Sequence, residues 1–283
     1  MKFYCLHEGF YEGVQLRLDQ LKAACCNLNI EFVAMNSLTV DYSNLPILTK
    51  DDLLYNAARG SEVLETILLN KEVTTFYIHN PDFVVANPDT TKYSILHDKA
   101  NIPSPKTIYH LTNDRALLKK YVDYLGGFPI IIKAAGSTRG IGTIKIDSWQ
   151  NLISTVDYLI TTGDKFILRQ FIENKGAARI IVLGNEVIAT EFRDNIENDF
   201  RVSGNKIKNY YQRDFDEQTY QIAINATRIA NLEVSGVDII YDMNKQPYLL
   251  EMNTPFDFIP TQEVTNINIA ELMIKYLTKK SKK

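Results

Sequence analysis

The sequence predicts a chain of mixed structure, α/β in its first part and α+β beyond it. Three observations carry that reading. Apolar residues recur at helical spacing in some segments and as short runs in others, proline and glycine signals break the chain between them, and the later strand-like runs follow closely enough to pair antiparallel. Phe3–Leu6 is a short apolar run, read as a strand. Val14, Leu18, Leu21, Cys25 and Leu28 then form one face of a helix, and Ile30–Ala34 reads as a second strand. Ser61–Leu69 reads as a helix burying Val63, Leu64, Ile67 and Leu68, which makes 1–86 a small α/β unit. Asn87-Pro88-Asp89 breaks the chain, and Pro103 with Pro105 breaks it again after a short helix. Strand-like runs follow at Phe128–Lys133, Gly142–Ile146, Lys165–Phe171, Ala178–Leu183 and Glu186–Glu191. A helix over Glu217–Asn231 leads into strands Gly236–Tyr241 and Tyr248–Asn253, and a last helix covers Ile269–Leu277.

Composition narrows the function classes. Of 283 residues, 45% are apolar and 23% charged, which describes an ordered globular chain of more than one core. The net charge of −3 lacks the basic surplus of a nucleic-acid binder, and the 16 tyrosines are scattered without a basic patch between them. Cys5, Cys25 and Cys26 are odd in number and two are adjacent, so a disulfide framework is not expected and a reducing cytoplasm is. The start, MKFYCLHEGFYEG, has no signal-peptide core, and no run approaches the roughly 20 apolar residues of a membrane span. Histidines 7, 79, 97 and 110 show no metal-ligand spacing, and the KKSKK tail reads as a solvated terminus.

Two segments carry chemistry. In FPIIIKAAGSTRGIGTIKI an apolar strand ends at Lys133, a loop of small residues follows, and the chain returns as a strand. Small residues let backbone N–H groups approach phosphate oxygens, with Lys133 as a point charge beside them. A Walker loop would instead carry GK[ST] and enter a helix. The arrangement suits a flap that closes over a nucleotide, although alone it also fits an ordinary glycine-containing hairpin.

The second segment, SGVDIIYDMNKQPYLLEMNTPF, reads as two strands joined by a turn. If Asp242 faces Pro247, then Asp238 faces Glu251, and Asn253 projects from the same face. Opposed residues of a strand pair lie roughly 5 Å apart, so two carboxylates there repel. A divalent cation resolves the repulsion, and an all-oxygen donor set suits magnesium. A solvated strand face, or another register, is the plainer alternative.

Together these segments resemble the ATP-grasp superfamily, and within it the RimK-like carboxylate–amine ligases. The resemblance spans about residues 87–277: NPDTTKYSILHDKANIPSPKT is similar to the family's opening helix and proline turn, PIIIKAAGSTRGIG to its lysine strand and glycine flap, ILRQFIEN to its adenine hinge, VDII with LLEMN to its metal hairpin, and DFR to its anionic-substrate segment. It implies an ATP-grasp fold with a pre-ATP-grasp unit at 1–86, a central subdomain at 87–172 and a C-terminal subdomain at 173–283. It implies ATP with one or two magnesium ions, manganese being an acceptable substitute. Lys133 would contact the phosphates, with Lys92 standing in for the family's opening-helix lysine. Gly136, Ser137, Thr138, Arg139, Gly140, Ile141 and Gly142 would cover them. Gln170, Phe171 and Ile172 would border adenine, Glu173 the base or ribose, and Arg179 belongs with the nucleotide-binding set. Asp238, Glu251 and Asn253 would hold the metal, and Arg201, helped by Arg193, would stabilise the transferred phosphoryl group.

The implied activity joins an amino acid or amine to a small-molecule or peptide carboxylate through an acyl phosphate, releasing ADP. The partners implied are ATP, a carboxylate and an amine, with neither nucleic acid nor membrane, and a homodimer as a candidate assembly. A small-molecule kinase and a catalytically inactive ATP-binding partner protein stay open as alternatives. So does simple pairing of Arg193 and Arg201 with Glu191, Asp194 or Asp199. Three departures stand out: Thr90 follows Asp89 where the family has lysine, Ala177 replaces an aspartate, and Val202-Ser203-Gly204-Asn205 follows DFR in place of the usual asparagine. Substrate choice is expected to lie in 1–86 and 193–213. Tyr55, Asn56 and Arg59 read best as a helix surface, with a cleft-facing Arg59 that binds a substrate carboxylate as the alternative.

Overall fold

The computed structural model describes residues 1–9, 12–84, 91–135, 140–196, 199–201 and 210–282. Its first unit comprises β1 (Lys2–His7), α1 (Glu12–Asn27), β2 (Glu31–Asn36), β3 (Asp52–Asn56) and α2 (Glu62–Leu68). The strands form a parallel sheet in the order β2-β1-β3, with Phe3 opposite Phe32 and Leu53. Parallel strands covered on both faces read as continuous apolar runs, and alternate residues serve the two sides. Phe3, Cys5, Leu53 and Tyr55 share a core with Val14, Leu18, Leu21 and Cys25 of α1, whereas Tyr4, Leu6 and Leu54 pack with Leu64 and Leu68 of α2.

Two expectations need correction here. Residues 52–56 form a strand, not a helix surface, because pairing with β1 buries Leu53, Leu54 and Tyr55. On α2, Val63 and Ile67 are 67% and 53% exposed, since only the Leu64/Leu68 stripe faces the sheet.

The middle of the chain runs α3 (Thr91–Lys99), β4 (Thr107–Ile108), α4 (Arg115–Leu125), β5 (Ile130–Ala134), β6 (Thr143–Ile146), α5 (Trp149–Thr162) and β7 (Phe166–Gln170). Its antiparallel sheet has the order β4-β7-β5-β6. Helices α4 and α5, absent from the strand-dominated reading above, cover one face. Leu118, Val122, Leu125, Leu152 and Val156 pack there on Ile130, Ile132, Ile146 and Leu168. Their ends carry the chemistry that stops and starts helices. Asp114 accepts from the N–H groups of Ala116 and Leu117, Ser148 accepts from Asn151, and Gly126 and Gly163 close the C-termini at φ 96° and 75°. The opposite face of the sheet presents Ile131, Lys133 and Arg169, which share one side by their pairing and spacing.

The rest comprises β8 (Gly176–Leu183), β9 (Glu186–Asp194), β10 (Tyr210–Gln212), α6 (Glu217–Ile229), β11 (Val234–Tyr241), β12 (Pro247–Asn253), α7 (Ile259–Thr265) and α8 (Ile269–Lys280). The five strands form an antiparallel sheet in the order β10-β9-β8-β11-β12. One face packs on α6 through Ala178, Ile180, Val237, Ile239 and Leu249. The other sends Ile181, Leu183, Ala189 and Val234 into the same core as α1 and α8, so the first unit and this sheet share one interior. Lys280 Nζ reinforces the join, donating to the carbonyls of Thr75 and Tyr77 and to Glu233. No helix among the described residues is long and apolar enough to cross a membrane.

Candidate active site

The Ile131/Lys133/Arg169 face of the middle sheet lies across from β11 and β12, and between them opens a cleft of about 730 Å³, open water included. Ile131, Ile240 and Leu250 supply apolar walls, and Lys133, Arg169 and Glu251 line the cleft with charge.

The β11–β12 hairpin has the expected pairing for an unexpected reason. Asp238 does face Glu251, but Tyr241, not Asp242, faces Pro247. The two registers are reconciled by a bulge between Asp238 and Ile239 that inserts Leu250 as an extra residue in β12. A bulge re-aims side chains. Here it lets Leu250 and Glu251 both line the cleft, while Leu249 and Met252 stay in the core beneath α6.

Cross-strand pairing extends the charged row. Glu191 on β9 faces Arg179 on β8, which faces Asp238 on β11, which faces Glu251 on β12. Arg179 Nε lies 2.8 Å from Asp238 Oδ1, and Arg179 Nη2 donates to Oδ2 at 3.0 Å. Asn253 Nδ2 donates to the same carboxylate at 3.2 Å. Gly236, opposite Asn253, leaves the room this needs, since a Cβ there would come 2.6 Å from Arg179 Nη1. Across the cleft, Lys133 Nζ donates to Glu251 Oε2 at 3.2 Å. Burial alone would raise Glu251, but Lys133, Arg169 and Arg59 together hold its carboxyl below the usual range. At Asp238 burial wins and pushes the carboxyl up against Arg179 and Arg193, with Glu251 and Glu191 adding to the push. Three oxygen donors on one strand face, two of them mutually repelling acids, fit a magnesium ion that keeps waters and adds phosphate oxygens.

The other predicted residues distribute as follows. Gln170, Phe171 and Ile172 line the cleft, and Gln170 is fixed by Lys106, whose carbonyl accepts from the Gln170 N–H at 2.9 Å and whose N–H donates to Gln170 Oε1 at 3.3 Å. Glu173 is exposed, and its neighbour Asn174 lines the cleft while tying down the turn to Gly176. Gly140 lines the cleft, Ile141 is 68% exposed, and the Gly142 carbonyl accepts from Ala134 at 2.9 Å. Both glycines have positive φ, at 71° and 76°. Gly136, Ser137, Thr138 and Arg139 lie outside the described residues, as do Thr90 and residues 202–205. Lys92 is exposed in the first turn of α3 and does not line the cleft. Arg201 does line it, paired with Asp199 at 2.7 Å and reaching the Gly140 carbonyl at 3.5 Å. Arg193 is buried against Glu191, with Nε donating to Oε1 at 2.6 Å, and does not line it.

Sequence reasoning missed Arg169, Ile131 and Leu250. Arg169 stood inside ILRQFIEN, and an arginine between buried strand positions was the available signal.

A RimK-like ATP-grasp domain matches residues 88–277. The chain is 27% identical over 219 residues to a probable alpha-L-glutamate ligase of Legionella pneumophila (strain Corby), covering 76% of this chain and 72% of that protein. It is 28% identical over 224 residues to the ribosomal protein bS6–L-glutamate ligase of Escherichia coli O6:H1, covering 78% and 70%. Among solved structures it is similar to the ATP-grasp ligase PsnB complexed with minimal precursor (TM-score 0.75, 14% identity, 99% of each chain). The D-alanine–D-alanine ligase of Bacillus anthracis is also similar (TM-score 0.72, 12% identity, 99% and 97%). With a family model matched over residues 88–277, two thirds of its length, the chain belongs to the RimK-like ATP-grasp family.

Proposed function

We propose that the protein is an ATP-dependent, ADP-forming carboxylate–amine ligase that joins an amino acid or other amine to a small-molecule or peptide carboxylate. The observation that carries this is the placement of Asp238, Glu251 and Asn253 on one strand face beside a cleft closed on its other side by Lys133. The three oxygen donors would hold one or two magnesium ions, which when bound neutralise charge on the β- and γ-phosphates. Lys133 leaves Glu251 for the phosphates, residues 136–142 cover them, and Gln170, Phe171 and Ile172 border adenine, with Glu173 or Asn174 toward the ribose. Lys92, Arg179 and Arg193 support the site from outside the cleft lining.

In the reaction the substrate carboxylate attacks the γ-phosphorus, the bond to the bridging oxygen breaks, and ADP leaves. Two anions meet in that step, so fixed positive charge from Lys133 and Arg201 lowers its barrier. The amine then attacks the acyl carbon, loses its proton and expels phosphate. A closed flap keeps water from competing. The homologous glutamate ligases support an amino acid as the amine. Three unpaired cysteines, two of them buried, are in keeping with a reducing compartment.

The test is ADP release with ATP and magnesium against pools of amino acids, short peptides and carboxylic acids, beside Glu251→Ala. Release that needs both an acid and an amine, and falls about a hundredfold or more in the variant, is expected. Release with an acid or alcohol alone, leaving a phosphorylated product, would identify a kinase.

A further inference from the structure

Phe200 stands directly before Arg201, the arginine that meets the transferred phosphoryl group on the ligase reading. Asp199, Phe200 and Arg201 form a compact unit. The Asp199 carboxylate accepts from the Arg201 N–H at 3.0 Å and from its guanidinium at two points, Nε to Oδ1 at 2.9 Å and Nη2 to Oδ2 at 2.7 Å. That fork leaves Nη1 to reach outward, where it donates to the Gly140 carbonyl at 3.5 Å. The guanidinium is thus oriented from within its own segment. A pairing with Asp199 travels with the segment, however, and cannot locate it in the cleft.

Phe200 supplies a fixed point. Its half-buried ring meets Phe171 edge-on, with centroids 6.4 Å apart and planes at 75°, and both residues line the cleft. Edge-to-face is a favoured aromatic geometry. Phe171 is itself well held. It follows Gln170, the last residue of β7, and Lys145 Nζ lies 4.7 Å from its ring centroid. Lys145 belongs to β6 of the same sheet and pairs with the cleft-lining Ile131, and a cation over a ring is attracted to it. The platform under Phe200 is therefore part of the middle sheet.

We propose that Phe200 is a positioning residue for phosphoryl transfer. Seated on Phe171, it fixes the segment that carries Arg201 and so places that guanidinium where the γ-phosphate binds. This rests on the ligase reading. A charge already in place needs no reorganisation when the phosphate arrives, whereas a loose arginine gives up rotamer freedom to bind it. Because Phe171 borders adenine on that reading, one ring contact links the base end of the nucleotide to positive charge at its phosphate end.

The full-length protein with magnesium is titrated calorimetrically with ADP and with AMPPNP, an ATP analogue that keeps the γ-phosphate. Phe200→Leu keeps an apolar side chain without the ring. It is expected to weaken AMPPNP about three- to tenfold, the worth of one aromatic pair, and to leave ADP within about twofold of the parent. Phe200→Tyr, which keeps the ring, should bind both nucleotides as the parent does. Arg201→Gln should weaken AMPPNP and spare ADP. Adding Phe200→Leu to it should cost less than about twofold more, because the ring acts through the arginine. Equal weakening of ADP and AMPPNP by Phe200→Leu would make Phe200 a wall of the nucleotide pocket, and additive losses would make it independent of Arg201. Either outcome overturns the proposal, as does unchanged AMPPNP binding by Phe200→Leu or by Arg201→Gln, and each leaves ATP-dependent ligation standing. Failure of the parent to bind either nucleotide would overturn both.

Discussion

Arg169 is a buried cation that ties three pieces of chain together. From β7 it donates to Thr107 Oγ1 at 3.1 Å, to the Leu250 carbonyl at 3.0 Å and to Ser94 Oγ at 3.5 Å. It thereby fastens the middle sheet to the bulged strand that carries Glu251. Arg169→Met keeps most of the volume but leaves the Leu250 carbonyl and the Thr107 hydroxyl without their donor. We expect a loss of about 1–3 kcal/mol in urea unfolding. Arg169→Lys should recover less than half of it, because one ammonium cannot reproduce the fork. A stable Arg169→Met protein would mean that these bonds are replaced by water. At this scale Lys133, Asp238 and Glu251 were legible in the sequence because charges interrupt apolar strands. Arg169 was not, because its partners are backbone and hydroxyl groups from distant segments. Arg59 was obscured by DLLYNAARGS, whose alanines and leucines favour a helix until pairing with β1 overrides them.

Among the elements, the β11–β12 hairpin shows how a right answer can follow from an incomplete pattern. Strict alternation gives the Asp238–Glu251 pairing only by assuming a turn one residue out of step. The true turn holds Asp242 Oδ1 against the N–H groups of Asn244 and Gln246 and places Lys245 at φ 66°. The bulge then restores the offset. Bulges have no period-two signature, so the sequence could not announce that Leu250 would turn to the cleft. Helices α4 and α5 were legible through Asp114, Gly126, Ser148 and Gly163, had cap signals been weighed beside the strand runs. The bulge makes a separable prediction. Leu250→Ala removes an apolar wall from the cleft and leaves the backbone that places Glu251. It should raise the KM for ATP about five- to tenfold, the worth of roughly 1–1.5 kcal/mol of apolar contact, with kcat within about twofold. An equal fall in kcat would show that Leu250 also holds the β11–β12 hairpin in position.

For the whole molecule, one hydrophobic core joins segments that lie far apart in the chain. Val14, Leu18 and Leu21 of α1 share an interior with Ile181, Leu183 and Val234 of the large sheet and with Met273, Ile274 and Leu277 of α8. The middle sheet has its own core with α4 and α5, and the chain's single tryptophan, Trp149, packs against it. Periodicity identifies which face of a helix is buried but not which sheet buries it, so this sharing could not be read from the sequence. The cleft lies between the middle sheet's core and the shared core, and parts divided in this way can melt separately. Met273 is fully buried, and Met273→Ala should cost about 2–5 kcal/mol in the shared core. Without nucleotide, the far-UV dichroism midpoint should fall while the Trp149 emission midpoint stays in place. Adding ADP and magnesium, which on the proposed reading contact both walls of the cleft, should draw the two midpoints together by mass action. If both signals shift equally in the nucleotide-free variant, the Lys133–Glu251 and Arg169–Leu250 links already couple the two cores into one cooperative unit.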